Sequence, residues 1–291
     1  MEFKPLMKGL WHLLLSVIVL VSAGGFPLVP HARDFELVWS DEFDGDALDA
    51  SKWKGHYTSA EATVRRGSYW STEMAVVKDG KLHIRTEYLP EGLNGNGKPG
   101  WYTCGVDTNG LYGQTFGYFE VRCILPKGSG MWSAFWMLSD GMGQVGNGGE
   151  DGAEIDVFES PFFGEGFNRR VSSNIHIDGY GADLKSSHVC EPYLLLNDPY
   201  ERFNTYGVEW NEEEYIFYVN GIETGRSSFG GTAKTPEYLI LSVEIGGADG
   251  RPGDSWAGKA LSTDDAPTDF VIDYVRAYQY RPGAANGGRV C

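Results

Sequence analysis

Short runs of strand-forming residues recur along most of the chain, and glycine, asparagine and aspartate interrupt them. In "KLHIRTEY" (81–88), Leu82 and Ile84 alternate with His83 and Arg85, which is the period of a strand that buries one face. Similar runs occupy 118–125, 172–180, 215–221, 238–247 and 269–280. Helical periodicity is nearly absent from the same part of the chain. Many short strands joined by turns predict an all-β sandwich or barrel of antiparallel sheets.

The chain is large enough for one substantial core. Of its 291 residues, 42% are hydrophobic and 14% are aromatic, which excludes a disordered chain. No internal repeat or linker divides the sequence. We therefore expect one β-sandwich domain over residues 33–282, followed by a tail at 283–291, and a monomer.

The net charge limits the partners of this domain. At −16 it disfavours nucleic acid, anionic membrane surfaces and heavily sulfated polymers as general partners, because all of them are negative. A local basic pocket stays compatible with that total. A neutral partner fits best.

The first 25 residues resemble an export signal. Lys4 and Lys8 precede the apolar run "LLLSVIVLV" (13–21), and small residues follow at 22–25. A bilayer span needs about 20 apolar residues, more than this run provides. A looser count over 10–29 leaves an uncleaved anchor open, and cleavage could lie as late as about residue 32. We expect a secreted or cell-surface protein with no stable membrane association after cleavage.

The cysteines form no CxxC motif, which gives a zinc site little support. They stand at Cys104, Cys123, Cys190 and Cys291. An exported protein commonly carries disulfides, and four cysteines allow three connectivities. Cys104 and Cys123 flank a predicted hairpin, so one candidate pairing joins these two.

The stretch "EIDVFE" (154–159) places three carboxylates among strand-forming apolar residues. Glu154 and Asp156 share a strand face, whereas Glu159 would point into the core, where an unpaired carboxylate is costly. One extra residue, a β-bulge at Val157 or Phe158, would bring all three carboxylates to one face. Bulges are common beside active sites. The sequence therefore predicts a bulge in this strand.

Crowded carboxylates cannot all ionise easily, so at least one pKa should rise. One carboxylate can then act as a nucleophile while another retains a proton as a general acid, the division of labour in glycoside hydrolysis. A calcium site or a solvated acidic edge is the alternative. Calcium more often draws on loops with carbonyl ligands, so we favour catalysis.

"EIDVFE" resembles the E-x-D-x-x-E signature of glycoside hydrolase family 16, in the bulged-strand branch that includes laminarinases. The likeness extends to both sides of the motif. It covers "LVWSDEFDG" (37–45), "GYFEVRCILPKGSGMWSAFWML" (117–138), "FNTYGVEWNEEEYIFYVNG" (203–221) and "DFVIDYVRAYQY" (269–280). The resemblance implies a β-jelly-roll sandwich with a concave polysaccharide-binding cleft. It also implies that Glu154 is the nucleophile, Glu159 the general acid/base and Asp156 the residue that positions Glu154.

The resemblance also implies residues that bind substrate. Trp132 and Trp136, four apart in a strand, share a face, and the family places them at the cleft, where indole rings stack on sugars. His176 alternates with two isoleucines and would face the cleft, donating a hydrogen bond to a sugar or to Glu159, although a structural role is equally compatible. Trp210 is expected in the core, and Trp256 is a weaker cleft candidate.

Many family members carry a structural calcium ion away from the catalytic centre. The matching positions here are Glu42, the Gly80 carbonyl and Asp273, which would supply hard oxygen ligands from both ends of the domain. The alternative is that these are ordinary edge residues. We expect catalysis to require no cofactor.

We thus predict a secreted, retaining endo-hydrolase of β-1,3- or mixed β-1,3/1,4-glucan, a neutral polysaccharide. A β-galactan such as agar, porphyran, carrageenan or a host glycan is the alternative substrate, and Arg169 and Arg170 could then supply a local anion site. A transglycosylase fits the same residues. A non-catalytic carbohydrate-binding protein is a further alternative, which the carboxylate triplet disfavours, since binding alone gains nothing from crowded acids.

Overall fold

The structure is a computed structural model that describes residues 34–164, 168–189 and 192–283. The predicted signal segment, the tail from residue 284 onward, Cys190 and Cys291 lie outside the described residues. In this part of the chain, no helix has the length and apolarity needed to cross a membrane.

Two large sheets contain nearly all the strands of the described residues. The strands of the larger sheet are β1 (Phe35–Asp41), β3 (Thr63–Arg65), β4 (Ser68–Trp70), β5 (Ala75–Lys78), β6 (Lys81–Leu89), β7 (Gly100–Thr103), β9 (Gly117–Ile124), β15 (Asn204–Trp210), β16 (Tyr215–Val219), β17 (Ile222–Ser227) and β21 (Thr268–Tyr280). The strands of the smaller sheet are β2 (Lys54–Gly55), β8 (Gly105–Asp107), β10 (Met131–Leu138), β11 (Glu154–Ser160), β12 (Arg170–Ile177), β13 (Lys185–His188), β14 (Tyr193–Leu194) and β18 (Tyr238–Ile245).

The remaining elements are short. They are the paired strands β19 (Gly247–Ala248) and β20 (Arg251–Pro252) and 3-10 turns at Thr72–Met74, Leu93–Gly95 and Asp140–Gly143.

The strand order places the carboxylate strand in the middle of the smaller sheet. That sheet runs β13-β12-β11-β10-β18-β8-β2, and the larger one runs β17-β16-β15-β9-β21-β6-β7-β4-β3 with β1 beside β21 and β5 beside β6. Neighbouring strands pair antiparallel except β4 with β7. The predicted all-β sandwich is confirmed.

The core lies between the two sheets, because alternate residues of each strand point inward. Phe135, Ile155 and Leu241 of the smaller sheet and Val121 and Ile272 of the larger one are fully buried members of one cluster. The opposite face of the smaller sheet is therefore left to residues of the other parity. Trp210 belongs to the core, as predicted.

The pairing of Cys104 with Cys123 is wrong, since both are buried free thiols. The sequence suggested a hairpin, but the two cysteines do not lie on paired strands, since Cys104 is the residue between β7 and β8 and Cys123 lies in β9. Cys104 precedes β8, which pairs with β18, whereas Cys123 lies in β9, which pairs with β15 and β21. A local turn signal does not identify which strand becomes the partner.

Candidate active site

The predicted β-bulge lies in β11. Phe158 pairs with Phe135 of β10 and Asp156 pairs with the adjacent Trp136, so that Val157 has no partner on that side. The pairing with β12 shifts between Asp156 and Glu159 as well. The extra residue restores the parity that Glu159 would otherwise lose, and the bulge prediction is confirmed.

All three carboxylates consequently line one open cavity of about 480 Å³ on the outer face of the smaller sheet. The register between neighbouring strands determines which side chains form the base of this cavity. Glu159 is opposite Ala134 of β10, which is opposite Ser242 of β18. Glu154 is opposite His176 of β12. The small Ala134 side chain between these positions leaves room above the sheet.

The two inner carboxyl groups favour their protonated forms. Burial raises the pKa of Asp156 well above its usual range, and the negative charge of Glu154 adds to the effect. Burial also raises the pKa of Glu159, with further contributions from Asp156 and Glu154. Asn174 opposes this by donating a hydrogen bond of 2.7 Å to Glu159 Oε2. Glu159 is therefore suited to hold a proton near neutral pH.

His176 faces the cleft but contacts different carboxylates than the sequence suggested. Its Nε2 lies 3.1 Å from Asp156 Oδ2 and 3.8 Å from Glu154 Oε1, and Nδ1 lies 2.6 Å from the Ser186 hydroxyl oxygen. The hydrogen-bond donor to Glu159 is Asn174. His176 is thus placed to orient the Glu154–Asp156 pair, whereas Asn174 of the same strand orients Glu159.

Both predicted tryptophans line the cavity, although little of either side chain is exposed. Trp132 and Trp136 are 6% and 8% exposed. Trp136 donates a 3.1 Å hydrogen bond to the Ser242 hydroxyl, and its ring meets the His56 ring edge-on. Trp132 packs edge-on against Trp256, which is 55% exposed. Trp256 therefore extends the aromatic surface at one end of the cleft.

Other cavity-lining residues were not identified as site residues from the sequence. Among them are Tyr57, Arg65, Arg66 and Tyr180. The Tyr180 hydroxyl donates a hydrogen bond to Glu154 Oε2. These residues come from loops and short strands far from "EIDVFE" in sequence, so the motif carries no information about them. An aromatic residue directly after "IHIDG" was the one local signal.

The arginines of the cleft are not those that the sequence suggested. Arg169 lies 3.3 Å from Asp198 and Arg170 stacks on Phe162, and neither lines the central cavity. Arg65 and Arg66 do, and their guanidinium groups lie 2.6 and 3.3 Å from the buried Glu244. Two positive charges beside one carboxylate leave this end of the cleft locally positive.

Within the described residues, Glu154, Asp156 and His176 form the one group of three acidic, histidine or cysteine side chains whose candidate metal-ligand atoms lie within 4.8 Å of one another. The raised pKa of Asp156 opposes metal binding, because a protonated carboxyl group is a poor ligand. The position of these three side chains at the bulge fits a role in proton transfer better than a role in metal binding.

The two carboxylates of the expected calcium site each have an arginine partner. Arg276 donates hydrogen bonds of 2.9 and 2.8 Å to the two Glu42 oxygens, and Arg122 pairs closely with Asp273. These guanidinium groups neutralise the ligands that calcium would need, so the observed contacts do not fit the ion. The calcium site at Glu42, Gly80 and Asp273 stays a prediction.

Comparison with known proteins gives the same assignment over nearly the whole described chain. A family model described as "Beta-porphyranase A-D, GH16 domain" matches residues 36–280. The chain is 31% identical to "Glucan endo-1,3-beta-glucosidase A1" of Niallia circulans over 88% of its own length, but it spans only 39% of that protein.

Two further proteins match along their whole length. The "Beta-glucanase" of Rhodothermus marinus is 30% identical, with 96% of this chain and 97% of that protein covered. The crystal structure of the laminarinase catalytic domain from Thermotoga maritima is 27% identical with a TM-score of 0.65, covering 86% of this chain and 100% of that chain. The fold is thus the predicted β-jelly roll. On the family match and the bulged carboxylate strand together, the chain belongs to glycoside hydrolase family 16.

Proposed function

We propose that the protein is an endo-acting glycoside hydrolase that cleaves β-1,3- or mixed β-1,3/1,4-glucan with retention of configuration. Glu154 is the nucleophile, Glu159 is the general acid and then the general base, and Asp156 and His176 hold Glu154 in position. The observation that carries the proposal is that the bulge turns Glu154 and Glu159 to the same cavity, with a raised pKa at Glu159.

In the first step a Glu154 oxygen attacks the anomeric carbon while the bond to the departing sugar breaks and Glu159 gives its proton to the leaving oxygen. In the second step Glu159 takes a proton from water, whose oxygen attacks the same carbon as the bond to Glu154 breaks. Two inversions retain the β configuration. Carboxyl groups about 5–5.5 Å apart perform this reaction, whereas inverting enzymes need about 6.5–9.5 Å.

The choice of a glucan rests on the relatives and on the shape and chemistry of the cleft. The relatives named above are a glucan endo-1,3-β-glucosidase, a β-glucanase and a laminarinase. The cavity is open, and the exposed Trp256, which packs against the cavity residue Trp132, suits the apolar faces of neutral sugars. An open cleft admits the middle of a polymer, which supports endo action.

A sulfated β-galactan is the second candidate, on one specific observation. Arg66 is half exposed at the cleft and stacks on Trp132, while Arg65 lies beside the same Glu244. Guanidinium groups bind sulfate oxygens through paired hydrogen bonds. The family model that matches the chain is of the porphyranase type. The net charge of −16 acts against a sulfated polymer over the rest of the surface.

Export is part of the proposal. The basic start, apolar run and small residues of the first 25 positions support a cleaved signal, and an extracellular polysaccharide is the substrate that such an enzyme would meet. N-terminal sequencing of protein recovered from the culture medium tests it. Recovery of the full-length chain in the membrane fraction alone would overturn it.

The deciding experiment is incubation with laminarin, lichenan, agarose, porphyran and carrageenan, with reducing ends and product sizes as readouts. We expect mixed oligosaccharides from laminarin or lichenan and no product from the galactans. The matched control is Glu154→Gln, which removes the nucleophile with almost no change in shape. Cleavage of porphyran alone, lost in Arg66→Ala, would replace the glucan by the galactan.

A further inference from the structure

Tyr180 contacts the nucleophile directly. Its hydroxyl donates a hydrogen bond to Glu154 Oε2, and its side chain lines the catalytic cavity. Tyr180 is 60% exposed as a residue, but partial desolvation at the cavity and the negative charge of Glu154 both raise its pKa, so the phenol keeps its proton and remains a donor. The contact therefore joins a neutral hydroxyl to the carboxylate that reacts.

The turn that carries Tyr180 is firmly held. Asp178 is 1% exposed and accepts hydrogen bonds from the Gly146 backbone N–H at 3.1 Å and from Lys185 Nζ at 2.7 Å. The Gly179 N–H donates to the Met142 carbonyl at 2.7 Å. Asp178 and Gly179 both have left-handed backbone angles, with φ of 65° and 79°. Such a conformation is costly for aspartate, and these contacts stabilise it.

We propose that Tyr180 is a catalytic residue that stabilises negative charge on Glu154 and acts mainly on the second chemical step. The proposal rests on the double displacement described above. A hydroxyl that donates to a carboxylate binds it more strongly than it binds the ester formed from it, since charged acceptors make stronger hydrogen bonds.

The two steps respond to this hydrogen bond in opposite directions. In the first step Glu154 loses charge as its oxygen bonds to the anomeric carbon, so the hydrogen bond weakens on the way to the transition state. In the second step the bond between that carbon and Glu154 breaks, and the electron pair returns to the carboxylate. The hydrogen bond then strengthens in the transition state, which accelerates release of the sugar.

Removing the hydroxyl should therefore slow release, and it should leave formation of the glycosyl-enzyme as fast as in wild type or faster. Hydrogen bonds to charged groups are stronger than neutral ones, and about half of the charge develops at the transition state. We expect release to slow by about 5- to 10-fold in Tyr180→Phe.

The test uses 2,4-dinitrophenyl β-laminaribioside, whose leaving group departs without protonation. Its first step is fast, so kcat reports the second step and kcat/KM reports the first. We expect Tyr180→Phe to lower kcat about 5- to 10-fold and to lower KM at least in parallel, with kcat/KM equal to or above that of wild type and a larger burst of dinitrophenolate. Tyr88→Phe, on β6 of the other sheet, is the matched control and should leave every parameter unchanged.

Two outcomes overturn the inference. An unchanged kcat would mean that the hydrogen bond does not act on release, and an equal fall of kcat and kcat/KM would mean that Tyr180 only shapes the site. Failure of the double displacement gives a different result. A wild-type enzyme that shows no burst and releases an initial α anomer, followed by proton NMR, would end the proposed mechanism itself.

Discussion

At the residue scale, the different roles of Glu154 and Glu159 predict different responses to truncation. Glu159→Ala should retain slow turnover of 2,4-dinitrophenyl β-laminaribioside, because this leaving group needs no proton in the first step although the second step has lost its base, but should lose activity on laminarin. General acid–base catalysis contributes roughly 10²- to 10⁴-fold, which is the loss we expect on the polymer. Glu154→Ala should lose both activities, since nothing replaces the nucleophile.

Steady-state rates of the two variants on both substrates check this assignment. Added azide provides a control, because a small anion can resolve the intermediate in Glu159→Ala without base assistance and should raise its rate. If instead Glu154→Ala retained turnover of the aryl glycoside and azide raised its rate, while Glu159→Ala lost all activity on that substrate, the two roles would be exchanged.

Trp136 and Trp256 should separate binding from stability. Trp136 is buried and hydrogen-bonded to Ser242, so Trp136→Ala should cost about 3–5 kcal/mol of unfolding free energy. Trp256 is 55% exposed, and Trp256→Ala should weaken polysaccharide binding by about 1 kcal/mol without destabilising the domain.

Urea denaturation and binding isotherms on an inactive Glu154→Gln background would measure both effects. A stable Trp136→Ala variant that has lost only binding would show that the ring serves the ligand alone. Equal destabilisation by both substitutions would remove Trp256 from the cleft surface.

The residue-scale predictions from sequence succeeded where spacing alone fixes direction. Glu154, Asp156 and Glu159 lie within six residues of one strand, and their parity together with one bulge determines their common face. Tyr180 and Arg66 reach the same cavity through tertiary structure, which no local period encodes. His176 was placed on the correct face, but its partner among the carboxylates depends on the register between β11 and β12.

At the element scale, the bulge itself can be tested by deletion. Removing Val157 would give a regular strand in which Glu154, Asp156 and Glu159 still alternate with Ile155 and Phe158, so the variant should fold. Removing Ile155 instead would turn Asp156 towards the core. An uncompensated carboxyl group there costs several times more free energy of unfolding than the loss of one apolar side chain.

Thermal midpoints and laminarin activity of the two deletions make the comparison. We expect the Val157 deletion to lower the thermal midpoint, because one buried side chain is lost, and to keep partial activity on laminarin. The Ile155 deletion should not yield a folded protein. Equal losses in both would mean that parity of the strand is not what the extra residue provides.

The element scale also shows why the cysteine pairing failed while the strand assignments succeeded. Alternation within a run identifies a strand from its own residues, as in β6, where Leu82 and Ile84 are fully buried. The partner of a strand depends on long-range order. β9 lies between β15 and β21, about 85 and 150 positions away in sequence, and not beside the strand that precedes it.

At the scale of the whole molecule, the sandwich determines where function can lie. One face of the smaller sheet closes the core, so its other face is free to carry the cleft, and the central position of β11 gives the carboxylates neighbours on both sides. The sequence resemblance predicted this architecture, since the motifs span 37–280. The arginine partners of Glu42 and Asp273 could not be predicted from it, because they depend on contacts between different strands.

The buried carboxyl groups should give the whole domain a characteristic pH dependence. Burial raises the pKa of Glu120, Asp156, Glu159 and Glu237, so the folded state holds protons that the unfolded state releases. Stability from such groups is fully present below their unfolded pKa and is lost as pH rises through the folded pKa. Glu42, whose pKa is lowered by its hydrogen bonds with Arg276, acts in the opposite sense and loses its contribution as pH falls.

Glu237 tests this linkage outside the catalytic cavity. It is fully buried, and its Oε1 accepts a 3.1 Å hydrogen bond from the Ala153 N–H, next to the nucleophile. We expect the wild-type free energy of unfolding to fall between about pH 5 and 8, each group contributing up to about 1.4 kcal/mol per pH unit while it is protonated only in the folded state. Glu237→Gln keeps an oxygen acceptor but cannot ionise, so its decline should be shallower by up to one such slope. Urea denaturation at four pH values measures the difference, with the exposed Glu61→Gln as the matched control. A variant whose slope equals that of wild type would mean that Glu237 is ionised in the folded protein, and that the strand start at Ala153 is held by a buried charge.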